Sequence, residues 1–156
     1  MRNNVMKGVF AGFVATIALS ILMMLKTMMG MMPQMNAIKM LSSMAHGFVG
    51  APLTPVVGWL LHFFIGGVLW GLLFALLFER IPGQTAALKG LVFGTAAWLL
   101  MMIMVMPLAG AGFFGLNLGP GAAIATLVLH WAYGAVLGSA YGKLAAARLV
   151  TTHTHA

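Results

Sequence analysis

The fold is decided by the stretch from Val56 to Phe78, which reads VVGWLLHFFIGGVLWGLLFALLF. The stretch is uncharged and almost entirely apolar, and its one ionisable side chain is His62. A helix that crosses a bilayer needs about 20 such residues. The stretch therefore predicts a transmembrane helix with a histidine in its interior.

Three further segments are also long and mostly apolar, from about Gly8 to Met29, with Lys26 near its end, from about Gly90 to Leu108 and from about Ala122 to Gly142. Charged residues make up only 6% of the chain, whereas soluble domains carry about 25%. Most of the surface must therefore face lipid. The chain, residues 1–156, is predicted to be a single all-α integral membrane domain, a bundle of four transmembrane helices.

Two connections between the predicted spans are apolar. In the connection from Met31 to Thr54, apolar residues recur at helical spacing, namely Met35, Ile38, Leu41, Ala45 and Phe48. This spacing predicts an amphipathic helix that lies in the membrane interface after the first span. The connection from Gly110 to Gly121 is glycine-rich, and we expect it to lie against the membrane surface or to dip into it.

The basic residues predict the orientation. The N-terminus, the connection between the second and third spans, and the C-terminus together hold Arg2, Lys7, Arg80, Lys89, Lys143 and Arg148. The other side holds only Lys26 and Lys39. The positive-inside rule then places both termini in the cytoplasm. Because the cations are scattered between apolar runs and form no stripe, we expect the bilayer, and no nucleic acid, as a partner.

The two halves of the chain resemble each other. The first and third spans open with Lys-Gly-x-x-x-Gly, at Lys7–Gly12 and Lys89–Gly94. LHFFIGGVL at 61–69 corresponds to LHWAYGAVL at 129–137. We interpret residues 5–78 and 88–142 as two repeats, parallel because each contains two spans. The alternative is chance similarity between apolar helices.

Two histidines are the sharpest candidates for chemistry. Ionisable residues within a span are costly, so His62 and His130 are functional candidates. In a parallel repeat they lie at similar depth and face each other across the bundle. Two such imidazoles are able to hold the iron of haem b as axial ligands, and Gly66 and Gly134, one turn away, would leave room for the porphyrin. The alternatives are hydrogen bonds that join helices, and proton or substrate handling.

Methionine is the second candidate feature. Met28, Met31, Met32 and Met35 form i, i+4 pairs near the outer end of the first span. Thioethers select Cu(I), so this face is an alternative copper site. The competing interpretation is that methionine serves as flexible apolar filler.

Three functions follow from these features. The first is a haem-binding electron-transfer or accessory redox subunit. The second is a permease or Cu(I)-handling protein, and the third is a structural or assembly protein without a cofactor. Enzyme chemistry is disfavoured, because Glu79 is the one acidic side chain in the sequence and a Ser/His/Asp triad needs another acid. Glycines spaced four apart serve packing within the chain, in a homo-oligomer or in a larger membrane complex.

The chain resembles a family of small bacterial four-span membrane proteins known only as a domain of unknown function. The resemblance rests on KGVFAGFVAT, GMMPQMN, GWLLHFFIGGVLWG, KGLVFGTAAWLLMM, MPLAGAGFFGLNLG and LHWAYGAVLG. It covers most of residues 5–142. It implies a location in the bacterial inner membrane, and it carries over neither an activity nor functional residues.

Overall fold

The computed structural model describes residues 2–153, with side chains from Asn4 to Ala146. Its α-helices are α1 Arg2–Met28, α2 Ala37–Val49, α3 Pro55–Phe63, α4 Gly71–Leu77, α5 Ala86–Leu100, α6 Met106–Leu108 and α7 Ala122–His153. π-helical turns at Phe64–Trp70 and Met101–Val105 join α3 to α4 and α5 to α6. A 3₁₀ segment, Phe113–Leu118, precedes α7.

Four helical stretches are long and apolar enough to cross a membrane: Asn4–Met28, Pro55–Leu77, Ala86–Leu108 and Ala122–Ala146. They confirm the prediction of an all-α, four-span membrane protein, and their bounds lie within a few residues of the predicted ones. We call them the first to fourth spans. Because four is an even number, the start of α1 and the end of α7 lie at the same end of the bundle, which we call the terminal end. The opposite end, with α2 and the 3₁₀ segment, is the loop end.

The cytoplasmic location of both termini stays a prediction. The side chains of Arg2 and Arg148, two of the six cations behind it, lie outside the described residues. The boundaries of the two sequence repeats likewise stay a prediction.

Polar side chains set where the helices begin. The hydroxyls of Thr54 and Thr85 accept hydrogen bonds from the backbone N–H groups of Val57 and Leu88, at the starts of α3 and α5. Pro55 occupies the first turn of α3, where its missing N–H costs no hydrogen bond. Each cap satisfies one of the donors that a helix start leaves unpaired, so the spans begin at fixed residues.

Each half of the bundle is a hairpin of two tightly packed spans. An added Cβ at Gly12 would collide with the carbonyl oxygen of Gly67, and one at Gly90 with that of Gly134. Only glycine permits backbones to approach this closely. Because the hydrophobic effect does not drive helices together in lipid, the dispersion energy of such close contacts is what stabilises the pair. The first span therefore pairs with the second, and the third with the fourth, through the glycines of the two Lys-Gly-x-x-x-Gly motifs.

The two hairpins meet along α1 and α7, which pack against each other. The second and third spans meet through aromatic rings, with Phe74 and Phe93 centroids 5.2 Å apart, and Tyr141 of the fourth span adds a ring whose centroid is 5.5 Å from that of Phe74. Edge-to-face pairs of this kind contribute about 0.5–1.5 kcal/mol each beyond their burial. Around the bundle the order of spans is therefore second, first, fourth, third.

The loop end is closed by α2 and the two apolar connections. Ile38 of α2 lies against Gly58, and the Ser42 hydroxyl donates to the Thr54 carbonyl at 2.9 Å. The two connections are joined by a bond of 3.0 Å from the Gln34 amide to the Leu118 carbonyl. The amphipathic helix predicted after the first span is thus present and is docked on the second span.

Candidate functional site

His62 lies at the contact between the first and second spans and is 9% exposed. Its Nε2 is 3.1 Å from the Ser20 hydroxyl oxygen. That hydroxyl also lies 2.7 Å from the Thr16 carbonyl, which only accepts. When the hydroxyl donates its single proton to this carbonyl, it accepts from the imidazole, whose proton is then on Nε2. The edges of Trp59 and Phe63 border the ring, with centroids 5.7 Å away in both cases.

A second set of polar groups lies next to this pair, around Gly66. The fully buried Thr16 donates to the Gly12 carbonyl at 2.7 Å, and its side chain fills the space beside Gly66. Tyr133, from the fourth span, donates its hydroxyl proton to the Gly66 carbonyl at 2.6 Å. Gly66 lies in the π-helical turn, where the regular i, i+4 ladder is interrupted. Three spans are therefore joined by hydroxyl groups at this point. We call Thr16, Ser20, His62, Gly66 and Tyr133 the polar centre.

His130 has a different environment. Its Nδ1 is 2.8 Å from the Thr126 carbonyl of its own helix, and a carbonyl accepts, so the proton lies on Nδ1. Trp98 of the third span donates to the Ala123 carbonyl and to the Thr126 hydroxyl, at 3.1 Å in each case. Among the described residues, His62 and His130 are not hydrogen-bonded to each other. The ring of His62 bonds to Ser20, and the ring of His130 bonds to Thr126.

The difference between the histidines has a simple geometric cause. Gly12 lies against Gly66 and Gly67, whereas the corresponding Gly94 lies against the His130 carbonyl, 2.5 Å from an added Cβ. The two helices of the second hairpin therefore cross at His130, whereas those of the first cross at Gly66, which is about one helical turn later in the repeated motif. His130 stands at the helix crossing, whereas His62 stands beyond it and faces Ser20.

The glycines predicted to make room for haem are covered in this structure. Thr16 lies against Gly66, and the Gly90 backbone lies against Gly134. The Nε2 atom of His62, a usual ligand atom for iron, is engaged in the hydrogen bond with Ser20. Haem binding at His62 and His130 stays a prediction, and it would require the helices to separate at both glycines.

The four methionines of the copper hypothesis lie at the loop end. Met28 is 83% exposed and Met31 51% exposed. The ammonium group of Lys26 donates to the Met32 and Met35 carbonyls at 3.2 and 2.6 Å. A fixed cation within this segment opposes the binding of a second cation. Copper binding there also stays a prediction.

Another group of methionines is brought together by the fold. Met102 and Met106 are buried, at 0% and 3% exposure, and Met40 and Met101 pack against them. The i, i+4 spacing of Met102 and Met106 is visible in the sequence, but the approach of Met40 from α2 is not. Flexible thioether side chains fill irregular space well, which suits the junction of α2 with the third span.

A family model matches residues 2–152 of the chain. The chain belongs to DUF6789, a family of unknown function. Comparison with curated proteins and with solved structures gives no match. The membership confirms the resemblance to an uncharacterised family seen in the sequence, and the function must be argued from the geometry.

The polar centre is built for hydrogen bonding. Among the described side chains, every nitrogen and oxygen atom that is itself fully buried has a partner. The described residues also contain no group of three or more His, Cys, Asp or Glu side chains able to hold a metal ion. Sequence reasoning missed Ser20, Thr16 and Tyr133 as partners at this centre. The available signal was the i, i+4 spacing of Thr16 and Ser20 behind Gly12 on one face of the first span.

Proposed function

We propose that this membrane protein is an assembly or accessory protein in which the two histidines serve helix packing. The observation that carries the proposal is the 3.1 Å hydrogen bond between His62 and Ser20. It joins the two spans of the first hairpin beyond their glycine crossing. Interhelical hydrogen bonds of this kind contribute about 0.6 kcal/mol on average in membranes, and up to about 1.7 kcal/mol.

The surface of the loop end supports a role in assembly. Large apolar side chains there are exposed although they lie beyond the ends of the spans, namely Phe48, Val49, Leu53, Phe113 and Leu116. Exposed apolar groups of this extent mark contacts with a membrane or with another protein. A rigid bundle that carries an apolar cap at one end is suited to hold a partner at the membrane surface.

The test of the packing role is a double-mutant cycle on His62 and Ser20, followed by unfolding of the purified protein in detergent. We expect His62→Ala and Ser20→Ala each to lower the free energy of unfolding. The double variant should lower it by less than the sum of the two single losses, because both substitutions remove the same hydrogen bond. His62→Gln keeps a donor and should recover most of the stability. Thr27→Ala is the matched control, since the Thr27 hydroxyl bonds only to the Met23 carbonyl of its own helix.

The assembly role is tested by native electrophoresis of mildly solubilised membranes from the natural host. We expect the protein in a complex larger than the monomer, retained in His62→Gln and reduced in His62→Ala. A monomer under these conditions would contradict the assembly role. Additive losses in the double-mutant cycle would contradict the packing role.

Haem binding is the second candidate, and one observation favours it. The Nδ1–H of His130 is held by the Thr126 carbonyl at 2.8 Å, which is the way a protein orients an imidazole for ligation through Nε2. The test is the absorption spectrum of the purified protein, oxidised and then reduced, after expression with ample haem. A Soret band that disappears in both His62→Gln and His130→Gln would support a bis-histidine site. A colourless protein would exclude it.

A further inference from the structure

Two grooves indent the sides of the bundle in its terminal half. One lies between the second and third spans and is an open depression of about 410 Å³. The other lies between the fourth and first spans and is an open depression of about 470 Å³. Neither groove is lined by His130 or by any residue of the polar centre. We call them the 2–3 groove and the 4–1 groove.

Each groove is lined mainly by apolar side chains and has one cation at its terminal end. In the 2–3 groove the cation is Arg80, and in the 4–1 groove it is Lys143. Both cations are exposed. Glu79 is the one acidic residue of the sequence, and it does not line either groove. The charged side chain that lines each groove is therefore a cation. It lies near the terminal end of the spans.

The two grooves lie between corresponding pairs of spans. One groove separates the second span from the third, and the other separates the fourth from the first. When Lys7–Gly12 is aligned with Lys89–Gly94, Val14 of the 4–1 groove corresponds to Ala96 of the 2–3 groove. The cations do not correspond, because the alignment of LHFFIGGVL with LHWAYGAVL places Lys143 opposite Ala75. Each groove therefore has a cation of its own at its terminal end.

The length of the 2–3 groove fits one leaflet of a bilayer. Its walls run along the second span from Trp70 to Leu77 and along the third from Val92 to Leu100, and seven and eight residues of helix rise about 10 and 12 Å. This is somewhat less than half of the roughly 30 Å hydrocarbon thickness. A molecule that fills the groove therefore has an apolar chain that fits within one leaflet, with an anionic group at the interface.

We propose that each groove binds an anionic phospholipid, with an acyl chain between the spans and the phosphate on Arg80 or Lys143. Basic sites between transmembrane helices recognise anionic headgroups, and the arginine guanidinium binds phosphate with two parallel hydrogen bonds. In the 2–3 groove a transmembrane helix of another protein is a poorer occupant, because helix contacts in lipid favour small residues, whereas Trp70, Leu73 and Leu77 line this groove. The 4–1 groove is lined by small residues such as Ala135, Ser139 and Ala140, and there the argument for a lipid rests on the cation Lys143. The proposal is independent of the role of the histidines.

The test is native mass spectrometry of the full chain, released from detergent with phosphatidylglycerol or phosphatidylcholine of the same acyl chains. We expect up to two phosphatidylglycerol molecules retained per chain, each bound about fivefold more tightly than phosphatidylcholine. Arg80→Gln and Lys143→Gln should each remove one, and the double variant both. Lys39→Gln is the control, because Lys39 is an exposed cation at the loop end, and it should change nothing.

A second variant tests the groove itself. Ala96 is exposed and lines the 2–3 groove, so Ala96→Leu fills the channel without overpacking the core. We expect this variant to lose one phosphatidylglycerol while Arg80 stays in place. Equal retention of the two lipids, unchanged retention in Arg80→Gln and Ala96→Leu, or a dimer that carries no lipid would overturn the proposal.

Discussion

Gly90 illustrates how much stability depends on single missing side chains. Its backbone touches the Gly134 carbonyl, and an added methyl group has no free space. We predict that Gly90→Ala destabilises the bundle by about 1–3 kcal/mol, the usual cost of overpacking. The measurement is denaturant unfolding in micelles. Gly47→Ala is the control, because an added Cβ there meets nothing within 4 Å, and helix propensity should make it neutral or slightly stabilising.

A second residue prediction concerns the hydroxyl of Tyr133, which links the hairpins through Gly66. Tyr133→Phe keeps the ring and removes the proton donor, so we expect a loss of about 0.6–1.7 kcal/mol in the unfolding free energy. Tyr141→Phe is the matched control. Tyr141 is also 4% exposed, but among the described residues its hydroxyl makes no comparable hydrogen bond. Equal losses in the two variants would mean that the hydroxyl of Tyr133 does not join the hairpins.

At this scale the sequence indicated which residues matter but not their partners. The histidines stood out because charge is costly within a span, and the spacing of the glycines indicated close packing. The bond from His62 to Ser20 depends on the register between two helices. A shift of one turn between the hairpins, which neither motif encodes locally, gives the two histidines different surroundings.

At the scale of the element, α2 is docked mainly on the start of the second span. The Ile38 backbone and side chain rest on Gly58, and Ser42 bonds to Thr54. We predict that Gly58→Leu separates α2 from the second span. Because the chain has no cysteine, a single Ser42→Cys reports this directly. Its labelling by maleimide should be at least about tenfold faster with Gly58→Leu, following the loss of local protection, and unchanged with Gly47→Ala.

The elements themselves were largely predictable, because a run of about 20 apolar residues has few alternatives to a spanning helix. Less predictable were the two π-helical turns, which depend on packing against neighbouring helices. The 3₁₀ segment was also not predicted. It requires positive φ at Phe114 (54°) and Gly115 (67°), and it is closed by a bond of 3.0 Å from the Asn117 N–H to the Ala111 carbonyl.

At the scale of the whole molecule, the asymmetry of charge predicts how the bundle lies in its membrane. We expect the terminal end to face the cytoplasm. Gln84 and Gly47 are exposed at the terminal and loop ends. In intact cells an impermeant maleimide should label Gly47→Cys and spare Gln84→Cys, and permeabilised cells should show both labelled. The reverse pattern in intact cells would show that the orientation is opposite.

The hairpin architecture has a consequence for biosynthesis. The closest backbone contacts join spans that follow each other in the chain, as at Gly12 with Gly67 and at Gly90 with Gly134. A contact of this kind needs only the two spans that it joins, and N-terminal parts of a chain pack first during synthesis. The first hairpin is therefore able to pack as soon as its second span leaves the translocon, while the rest of the chain is still being translated. The contacts between hairpins, including Tyr133 with Gly66, complete the molecule only when synthesis is nearly finished.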